Sequence, residues 1–445
     1  MRIVIAGAGE VGIFLAGLLS KERKDIVVID TNEDRLHSIN EKYDVLTVLG
    51  SATSIKILEE AQVKGSYIFI AATHYEHVNI VAASLAKKIG ARRTIARVDN
   101  LEYIVSKNKR YFKSLGIDTL INPDKLVVDE IVMMIRQSAS NEVFEFSKGD
   151  LTLFATRLNE KSQVIGKNLT ESLKLYNEFE YRAILIVRDE KTFIPRHHDI
   201  FQINDIVYAV SSRKGLDSLM KISGQEKVKI DDVMIFGGSK IGELTAKKLE
   251  QHFNVKLVEK DKNRCMELSE ILDKTLIINA DARDTLTLKQ ENIAKMDVFI
   301  SVTESSETNI FASILAQRQK VPKTITEVEN IDFIEISKDL NIEGIINKKL
   351  IAASLITRYL IDADILSIKM LNTANADIIE VIARQGSIIT KKPLAELDLP
   401  KSFIIGGVIR NNTSFIARGS TFIRPGDICV VLVLSDFIYT IEEFF

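Results

Sequence analysis

The clearest chemical signal in the sequence comes from three glycines near its beginning. Gly7, Gly9 and Gly12 have the spacing G-x-G-x-x-G and lie between an apolar run and a helical pattern. In such a loop the first glycine permits a tight turn, the second lets a pyrophosphate approach the backbone, and the third lets the helix pack close to the sheet. The amides at the start of the helix then face the anion. The pattern predicts a dinucleotide-binding loop.

An acidic residue follows at the offset that this loop type needs. A second apolar strand, Asp25 to Ile29, leads to Asp30, near the offset of about 20 residues at which a carboxylate meets the ribose hydroxyls of adenosine. Because a carboxylate repels a phosphate on that ribose, Asp30 favours NAD(H) over NADP(H). Arg35 lies about one turn into the next helix, where we expect it to pair with surface acids rather than to select NADP(H).

Further candidate contacts follow the later strands, because ligands in open α/β sheets bind at the carboxyl ends of the strands. Thr73 and His74 are expected to contact the pyrophosphate or the nicotinamide ribose, with capping of the next helix as the alternative. For Arg97 we favour neutralisation of a phosphate over a buried salt bridge. The candidate cofactor-binding residues of this region are Gly7, Ala8, Gly9, Glu10, Val11, Gly12, Asp30, Thr31, Arg35, Gly50, Ser51, Ala52, Thr73, His74 and Arg97.

Alternating strands and helices must position these residues, which predicts a doubly wound parallel sheet. A helix from about Asp124 to Ser138 follows the sheet and carries an apolar face from Val127 to Ile135, so it is a candidate for joining lobes, as is the stretch Leu350 to Leu360. From about Asn141 to Ser223, short strands with polar turns predict a small α+β module. The strands of the first sheet are expected at Arg2 to Ala6, Ile26 to Ile29, Val45 to Leu49, Tyr67 to Ala72 and Thr94 to Val98.

The second half of the chain repeats the first at an offset of about 230 residues. Its glycine loop carries Ser239 in place of the middle glycine, which adds a Cβ where the backbone should approach a pyrophosphate. Lys240 could hold a terminal phosphate or be a solvated lysine, and Glu259 stands at the position of the ribose acid. We expect an adenine-nucleotide site here, with the candidate residues Gly237, Gly238, Ser239, Lys240, Ile241, Glu259, Ala280 and Asp281.

Composition excludes several classes of function. The 445 residues carry a net charge of -2, so there is no basic surplus for binding nucleic acid. Cys265 and Cys429 lie far apart and match no metal or redox spacing, and the pair His197-His198 lacks further ligands, so we expect no metal site. No apolar run approaches the roughly 20 residues that span a bilayer. We therefore expect a cytoplasmic protein that reaches the membrane only through a partner.

The motifs that point to a family, together with the tandem order of the units, are Gly7 to Gly12, Asp30, Gly50-Ser51-Ala52, the stretch from Thr73 to Asn79, Arg97 and Arg424-Pro425-Gly426-Asp427. Together they resemble the TrkA family of peripheral subunits of Trk potassium uptake systems. The resemblance implies an α/β protein of two tandem RCK units, each a doubly wound Rossmann lobe followed by a small α+β lobe. The expected boundaries are 1–140, 141–223, 230–362 and 363–445. Three residues depart from the family pattern. Ser51 stands where the family usually has an aspartate, Ser239 replaces the middle glycine of the second loop, and Glu327 replaces the counterpart of Arg97.

The resemblance also implies a function. It predicts a regulatory subunit that binds NAD(H), and also ATP or ADP, and gates a transmembrane potassium-translocating subunit of the TrkH or TrkG type. The subunit is expected to form a homo-oligomeric ring, a tetramer, at the inner face of the cell membrane. The alternatives are an NAD-dependent oxidoreductase and an RCK regulator of another cation transporter or a potassium exporter. Catalysis is disfavoured, because the chain spends its remaining length on a second nucleotide lobe and two small modules, with no recognisable catalytic pair.

Overall fold

The computed structural model describes most of the chain. It leaves out residues 21–24, 137–140, 147–150, 174–180, 190, 213–214, 216–217, 220–221, 224–229, 282–284, 341, 343, 361–363 and 372–373. The expected domain boundaries at residues 140, 362 and 363 therefore lie outside the described residues. So does Ala282, which is the counterpart of Ala52 in the second half.

The first lobe is built on a six-stranded parallel sheet with the order β3-β2-β1-β4-β5-β6. Its central strands are almost wholly buried, in keeping with their runs of Val and Ile, which suit a sheet covered on both faces. Because β1 pairs with β2 on one side and β4 on the other, the strand order reverses at its carboxyl end, where ligands bind in such sheets. The strands are β1 (Arg2–Ala6), β2 (Asp25–Asp30), β3 (Leu46–Leu49), β4 (Ile68–Ala71), β5 (Arg93–Arg97) and β6 (Thr119–Ile121).

The helices of this lobe cover both faces of the sheet. Their apolar faces pack in two clusters, one on each side. The helices are α1 (Glu10–Ser20), α2 (Glu33–Lys42), α3 (Ile55–Glu60), α4 (Glu76–Ile89), α5 (Lys109–Ser114) and α6 (Pro123–Arg136).

The small module that follows is a five-stranded antiparallel sheet with the order β10-β9-β11-β8-β7. A buried ion pair fixes its hairpin: Arg188 donates two hydrogen bonds to the fully buried Asp205, from Nε and from an Nη atom, each at 2.7 Å. The elements are β7 (Asn141–Glu145), β8 (Leu151–Arg157), α7 (Leu169–Leu173), β9 (Tyr181–Arg188), β10 (Lys191–Phe193) and β11 (Ile206–Ser212).

The second half repeats this architecture, as the internal similarity predicts. Its parallel sheet has the order β14-β13-β12-β15-β16-β17, and its antiparallel sheet the order β18-β19-β22-β20-β21. The strands are β12 (Asp232–Phe236), β13 (Asn254–Glu259), β14 (Leu276–Asn279), β15 (Val298–Ser301), β16 (Lys323–Glu327), β17 (Gly344–Ile346), β18 (Asp364–Met370), β19 (Ala376–Ile382), β20 (Phe403–Arg410), β21 (Thr413–Ile416) and β22 (Ile428–Leu434). The helices are α8 (Lys240–Leu249), α9 (Lys262–Ile271), α10 (Thr285–Gln290), α11 (Ser306–Arg318), α12 (Asp332–Asp339), α13 (Lys348–Leu360) and α14 (Ile441–Phe444).

Two helices are exchanged between the parallel-sheet lobes. Val127 and Ile131 of α6 lie in the core of the second lobe, whereas Ala353, Ile356 and Leu360 of α13 lie in the core of the first. The prediction that these two stretches join the lobes is confirmed. Each lobe's core is therefore completed by a helix of the other lobe.

The two antiparallel sheets also share one core. Leu151 and Val210 of the first pack with Ile378 and Leu432 of the second. Gly407 permits the close approach, because a Cβ at this position would lie 2.5 Å from Leu151 Cδ1. The four lobes thus form two paired layers, one parallel and one antiparallel.

Candidate nucleotide-binding crevices

The first glycine loop joins β1 to α1 in the geometry that its spacing predicts. Gly7 has a φ of +110°, and a Cβ there would lie 2.9 Å from the backbone nitrogen of Thr73. A Cβ on Gly12 would lie 1.8 Å from the carbonyl oxygen of Gly7. The fold itself therefore requires these two glycines.

Gly9 differs from the other two glycines, because its missing Cβ faces the crevice. A Cβ there would lie 3.3 Å from Nε2 of His74, a side chain that is itself exposed. The space above Gly9 is thus bordered by an imidazole rather than by backbone. His74 therefore lies beside the position where the loop would receive a pyrophosphate, and its contact with a ligand stays a prediction.

Asp30 organises the loop from the end of β2. One carboxylate oxygen accepts a hydrogen bond from the Ala8 amide at 2.5 Å, and the other accepts one from the Asn32 amide at 2.8 Å. Each oxygen keeps a further lone pair, so the carboxylate can still accept hydrogen bonds from ribose hydroxyls. Asp30 is partly buried and Thr31 beside it is exposed.

The loop after β3 lies beside Asp30. The amide of Gly50 donates to the carbonyl oxygen of Asp30 at 2.8 Å. The Ser51 hydroxyl lies 2.8 Å from the Thr53 hydroxyl, and Ala52 is buried. Gly50 and Ser51 thus border the ribose acid, whereas Ala52 packs beneath the crevice.

Asn79 is a structural residue of the crevice that the site prediction missed. Its side chain is buried; Oδ1 accepts from the Thr73 amide at 2.9 Å and from the Thr73 hydroxyl at 2.7 Å, and Nδ2 donates to the carbonyl oxygens of Thr73 and Arg97, each at 3.0 Å. This amide ties the ends of β4 and β5 together. Thr73 does not cap α4 through its side chain, because its hydroxyl is held by Asn79. The sequence repeat carried the signal, since Asn309 makes the same bonds to Thr303 and Glu327.

The two arginines of the first crevice are weakly held. Arg97 has a long contact of 3.4 Å with Asp99, and its buried Nε has no hydrogen-bond partner. Arg35 is exposed, and within the described part of the chain it forms no ion pair, so its expected pairing with surface acids stays a prediction. Both guanidinium groups therefore keep donors for a ligand's phosphates.

The first glycine loop also touches the exchanged helix. Lys349, at the start of α13, lies 3.1 Å from the carboxylate of Glu10, and the Lys349 side chain is only 17 % exposed. Val11 packs against the same core that receives α13. The loop that would hold a ligand is thus in direct contact with the other half of the chain.

The second crevice has the same backbone frame. Gly237 has a φ of +107°, and a Cβ on Gly242 would lie 2.0 Å from the Gly237 carbonyl oxygen. Glu259 accepts from the Gly238 amide at 2.7 Å, as Asp30 does from Ala8, and the Ala280 amide donates to the Glu259 carbonyl oxygen at 2.9 Å. The frame of a nucleotide lobe is therefore preserved.

Side chains change the second crevice. Ser239 caps α8 by accepting from the Gly242 amide at 3.2 Å, and its hydroxyl donates to the Val302 carbonyl oxygen at 2.7 Å. The Lys240 ammonium donates to the Glu243 carboxylate at 2.7 Å, while its side chain remains 54 % exposed. Ile241 is buried, and Asp281 at the end of the loop is partly buried.

Glu327 introduces a buried acid where the first half has Arg97. Its side chain is 4 % exposed, and burial raises its pKa to about 7, an effect that the nearby Lys348 ammonium partly opposes. Lys348 itself bonds to Asp124 at 2.9 Å, which joins the first turns of α13 and α6. This carboxyl thus lies where the two exchanged helices begin.

The described residues contain neither a candidate metal site nor a membrane-spanning helix. Within them, no group of three or more His, Cys, Asp or Glu side chains could hold a metal ion. Cys265 and Cys429 are buried free thiols. No helix in this part of the chain is both long enough and apolar enough to traverse a lipid bilayer.

Comparison with known proteins agrees with this architecture. The TrkA-N domain family matches residues 3–123 and 233–348, and the TrkA-C domain family matches residues 153–224. The Trk system potassium uptake protein TrkA of Halomonas elongata is 30 % identical over 439 residues, which cover 98 % of this chain and 96 % of the relative.

Solved structures share the fold at low sequence identity. The GsuK RCK domain has a TM-score of 0.63 at 15 % identity, covering 99 % of this chain and 94 % of the other. The GsuK channel bound to NAD has a TM-score of 0.62 at 15 % identity, covering 100 % of this chain and 78 % of the other. The predicted fold of two tandem RCK units is confirmed.

Proposed function

The chain belongs to the TrkA family, and from this premise we propose that it is a nucleotide-sensing regulatory subunit that binds NAD(H) in its first crevice and gates potassium uptake through a membrane partner. The observation that carries the proposal is the first crevice itself: a glycine loop whose Gly9 presents no side chain to the crevice, beside a carboxylate at the ribose position.

The residues of this crevice fit a dinucleotide. The amides at the start of α1 and the donors of Arg97 and Arg35 suit its phosphates, and Asp30 suits the hydroxyls of an unphosphorylated ribose. NAD(H), when bound, would supply here a shape and a charge rather than a hydride, since the described residues outside this lobe form a second nucleotide lobe and two small modules. ADP and ATP share the adenosine diphosphate half of NAD(H), so we expect them to compete for the same crevice.

Ligand binding is coupled to the rest of the molecule through the Glu10–Lys349 contact and the exchanged helices. A nucleotide shifts an equilibrium between two conformations only through different affinity for them, and a tenfold preference corresponds to about 1.4 kcal/mol per site. In a homo-oligomeric ring, which we expect to be a tetramer at the inner face of the cell membrane, such contributions add. The ring would act on a TrkH- or TrkG-like pore.

Two other functions make different predictions. An NAD-dependent oxidoreductase would turn over NADH with a second substrate, and a regulator of another cation transporter or of a potassium exporter would associate with a different membrane protein. The first is disfavoured because such an enzyme needs a domain that brings a second substrate and an acid or base to the nicotinamide, whereas the second half of this chain repeats the nucleotide lobe and the small module.

The test isolates the tagged chain from the membranes of its own cells with its integral partner and reconstitutes the complex in vesicles. Rubidium-86 uptake is then measured with and without NADH. We expect NADH to change rubidium uptake severalfold. The variant Asp30→Ala should need about 10- to 100-fold more NADH for the same change in uptake, because it loses the charge-assisted hydrogen bonds to the ribose hydroxyls.

The matched control is Glu259→Ala, which removes the equivalent acid from the second crevice and should leave the NADH response unchanged. Rubidium uptake that does not change with NADH, or an Asp30→Ala variant that responds to NADH as the wild type does, would contradict the proposal. Steady oxidation of NADH by a metabolite would support the oxidoreductase instead.

A further inference from the structure

The second crevice contains an ion-pair cluster that the first lacks. Arg264 donates from Nη2 to Glu243 at 2.7 Å, from Nη1 to Glu267 at 2.9 Å, and from Nε to the carbonyl oxygen of Gly238 at 2.8 Å. The other Glu243 oxygen accepts from Lys240 at 2.7 Å. The cluster thus spans the glycine loop and the first turns of α8 and α9.

The position of Arg264 overlaps the expected ligand position. Its Nε bonds to Gly238, whose amide in turn bonds to Glu259, the counterpart of the ribose acid. Its guanidinium therefore lies against the part of the loop that adenosine and the first phosphate would approach. Ser239 caps α8 on the same side, so the helix amide that would face a phosphate already has a partner.

Both cations form ion pairs with Glu243, whose side chain is only 8 % exposed. Burial alone would raise the pKa of Glu243, but the hydrogen bonds from Lys240 and Arg264 outweigh it and lower the pKa. Withdrawing Arg264 toward a ligand would leave a buried carboxylate without one of its two partners, which is strongly unfavourable.

The internal repeat supplies the comparison. The residue equivalent to Glu243 in the first half is Ile13, which is partly buried against the core of the first lobe. The equivalent of Arg264 is Arg35, which is exposed without an ion pair among the described residues. In the first half, where the neighbouring residue is apolar, this arginine thus forms no ion pair among the described residues. In the second half, where the neighbouring residue is a carboxylate, it is held in an ion pair.

We propose that Glu243 closes the second crevice to nucleotides by holding Arg264 and Lys240 across the glycine loop, so that each chain binds one nucleotide, in the first crevice. The inference rests on the proposed function for the identity of that one site. It replaces the expectation of an adenine-nucleotide site in the second half.

The test counts nucleotides per chain by isothermal titration calorimetry with ADP and, separately, NADH on the full chain. We expect one molecule per chain for the wild type. Glu243→Ile, which installs the residue of the first half, should give two ADP per chain, with the first affinity unchanged within about twofold. Glu267→Ala is the matched control, because its carboxylate is 62 % exposed and leaves the Glu243 contacts in place, so we expect one per chain.

Each outcome decides the matter. Two nucleotides on the wild type, or one on both Glu243→Ile and wild type, would overturn the closure by Glu243. No nucleotide on the wild type but one on Glu243→Ile would support the closure and contradict the first-crevice proposal, whereas none on either would overturn both. If Glu243→Ile fails to fold, Glu243→Gln keeps the size of the side chain and removes its charge, and more than one ADP per chain is expected from it.

Discussion

The buried acid Glu327 provides a quantitative prediction, because its pKa is raised by burial from an ordinary value of 4.5 to about 7. Below pH 4.5 the carboxyl is protonated in both the folded and the unfolded chain and favours neither. As the pH rises from 4.5 to about 7, the unfolded chain ionises first and the free energy of unfolding falls. Above about 7 both forms are ionised and the loss, about 3 kcal/mol, is complete.

The variant Glu327→Gln keeps the shape of the protonated acid and cannot ionise. We expect it to be more stable than the wild type by about 3 kcal/mol at pH 8 and by less than about 1 kcal/mol at pH 5. Urea unfolding followed by circular dichroism is the suitable assay, since the chain contains no tryptophan.

Glu327→Asp serves as the control, because it retains an ionisable carboxyl at the same position and should keep the pH dependence of the wild type. A difference between Glu327→Gln and the wild type that is equal at pH 5 and pH 8 would refute the reasoning, since it would mean that folding does not change the ionisation of this carboxyl.

Three further predictions test other parts of the structure. Asn79→Ala should lower the free energy of unfolding by about 3 kcal/mol, measured by urea unfolding, because it leaves buried polar groups at the ends of β4 and β5 without partners; wild-type stability would contradict this. Burial raises the pKa of Asp377 from 3.8 to about 6, so stability is lost as the pH rises through that window, and Asp377→Asn should be more stable by about 3 kcal/mol in calorimetry at pH 7.5 but not at pH 3.5. Lys349→Gln should change the free energy of unfolding by less than about 1 kcal/mol, since Glu10 is 66 % exposed, yet reduce the effect of NADH on rubidium uptake; an unchanged NADH response would rule out this contact as the coupling.

Much of the fold could be predicted because its rules are local. The β-branched runs, the loop glycines and the repeat determine the parallel sheets, and the apolar face of the helix around Val127 and Ile131 indicated an external docking surface. The partner of that face could not be deduced from periodicity, which reports that a face is buried but not against what. The exchange of α6 and α13 required the structure.

The positions of site residues were predictable from the sequence where a residue's role depends on the backbone alone. Gly7, Gly12 and Asp30 lie in the expected geometry because their roles follow from backbone sterics and spacing. The contacts of Arg35 and Arg264 were not predictable, since they depend on which side chain the neighbouring helix presents. At this arginine position the residue of the preceding helix, Ile13 or Glu243, decides whether the guanidinium is held in an ion pair.

Hydrogen–deuterium exchange of the full chain with and without NADH tests the central claim most directly. If nucleotide binds in the first crevice and acts through the exchanged helix, amides from Gly9 to Ile13 and those of the first turns of α13 should both exchange more slowly with NADH, and both effects should disappear in Asp30→Ala. Slower exchange confined to other parts of the chain, or to the glycine loop without α13, would contradict the account.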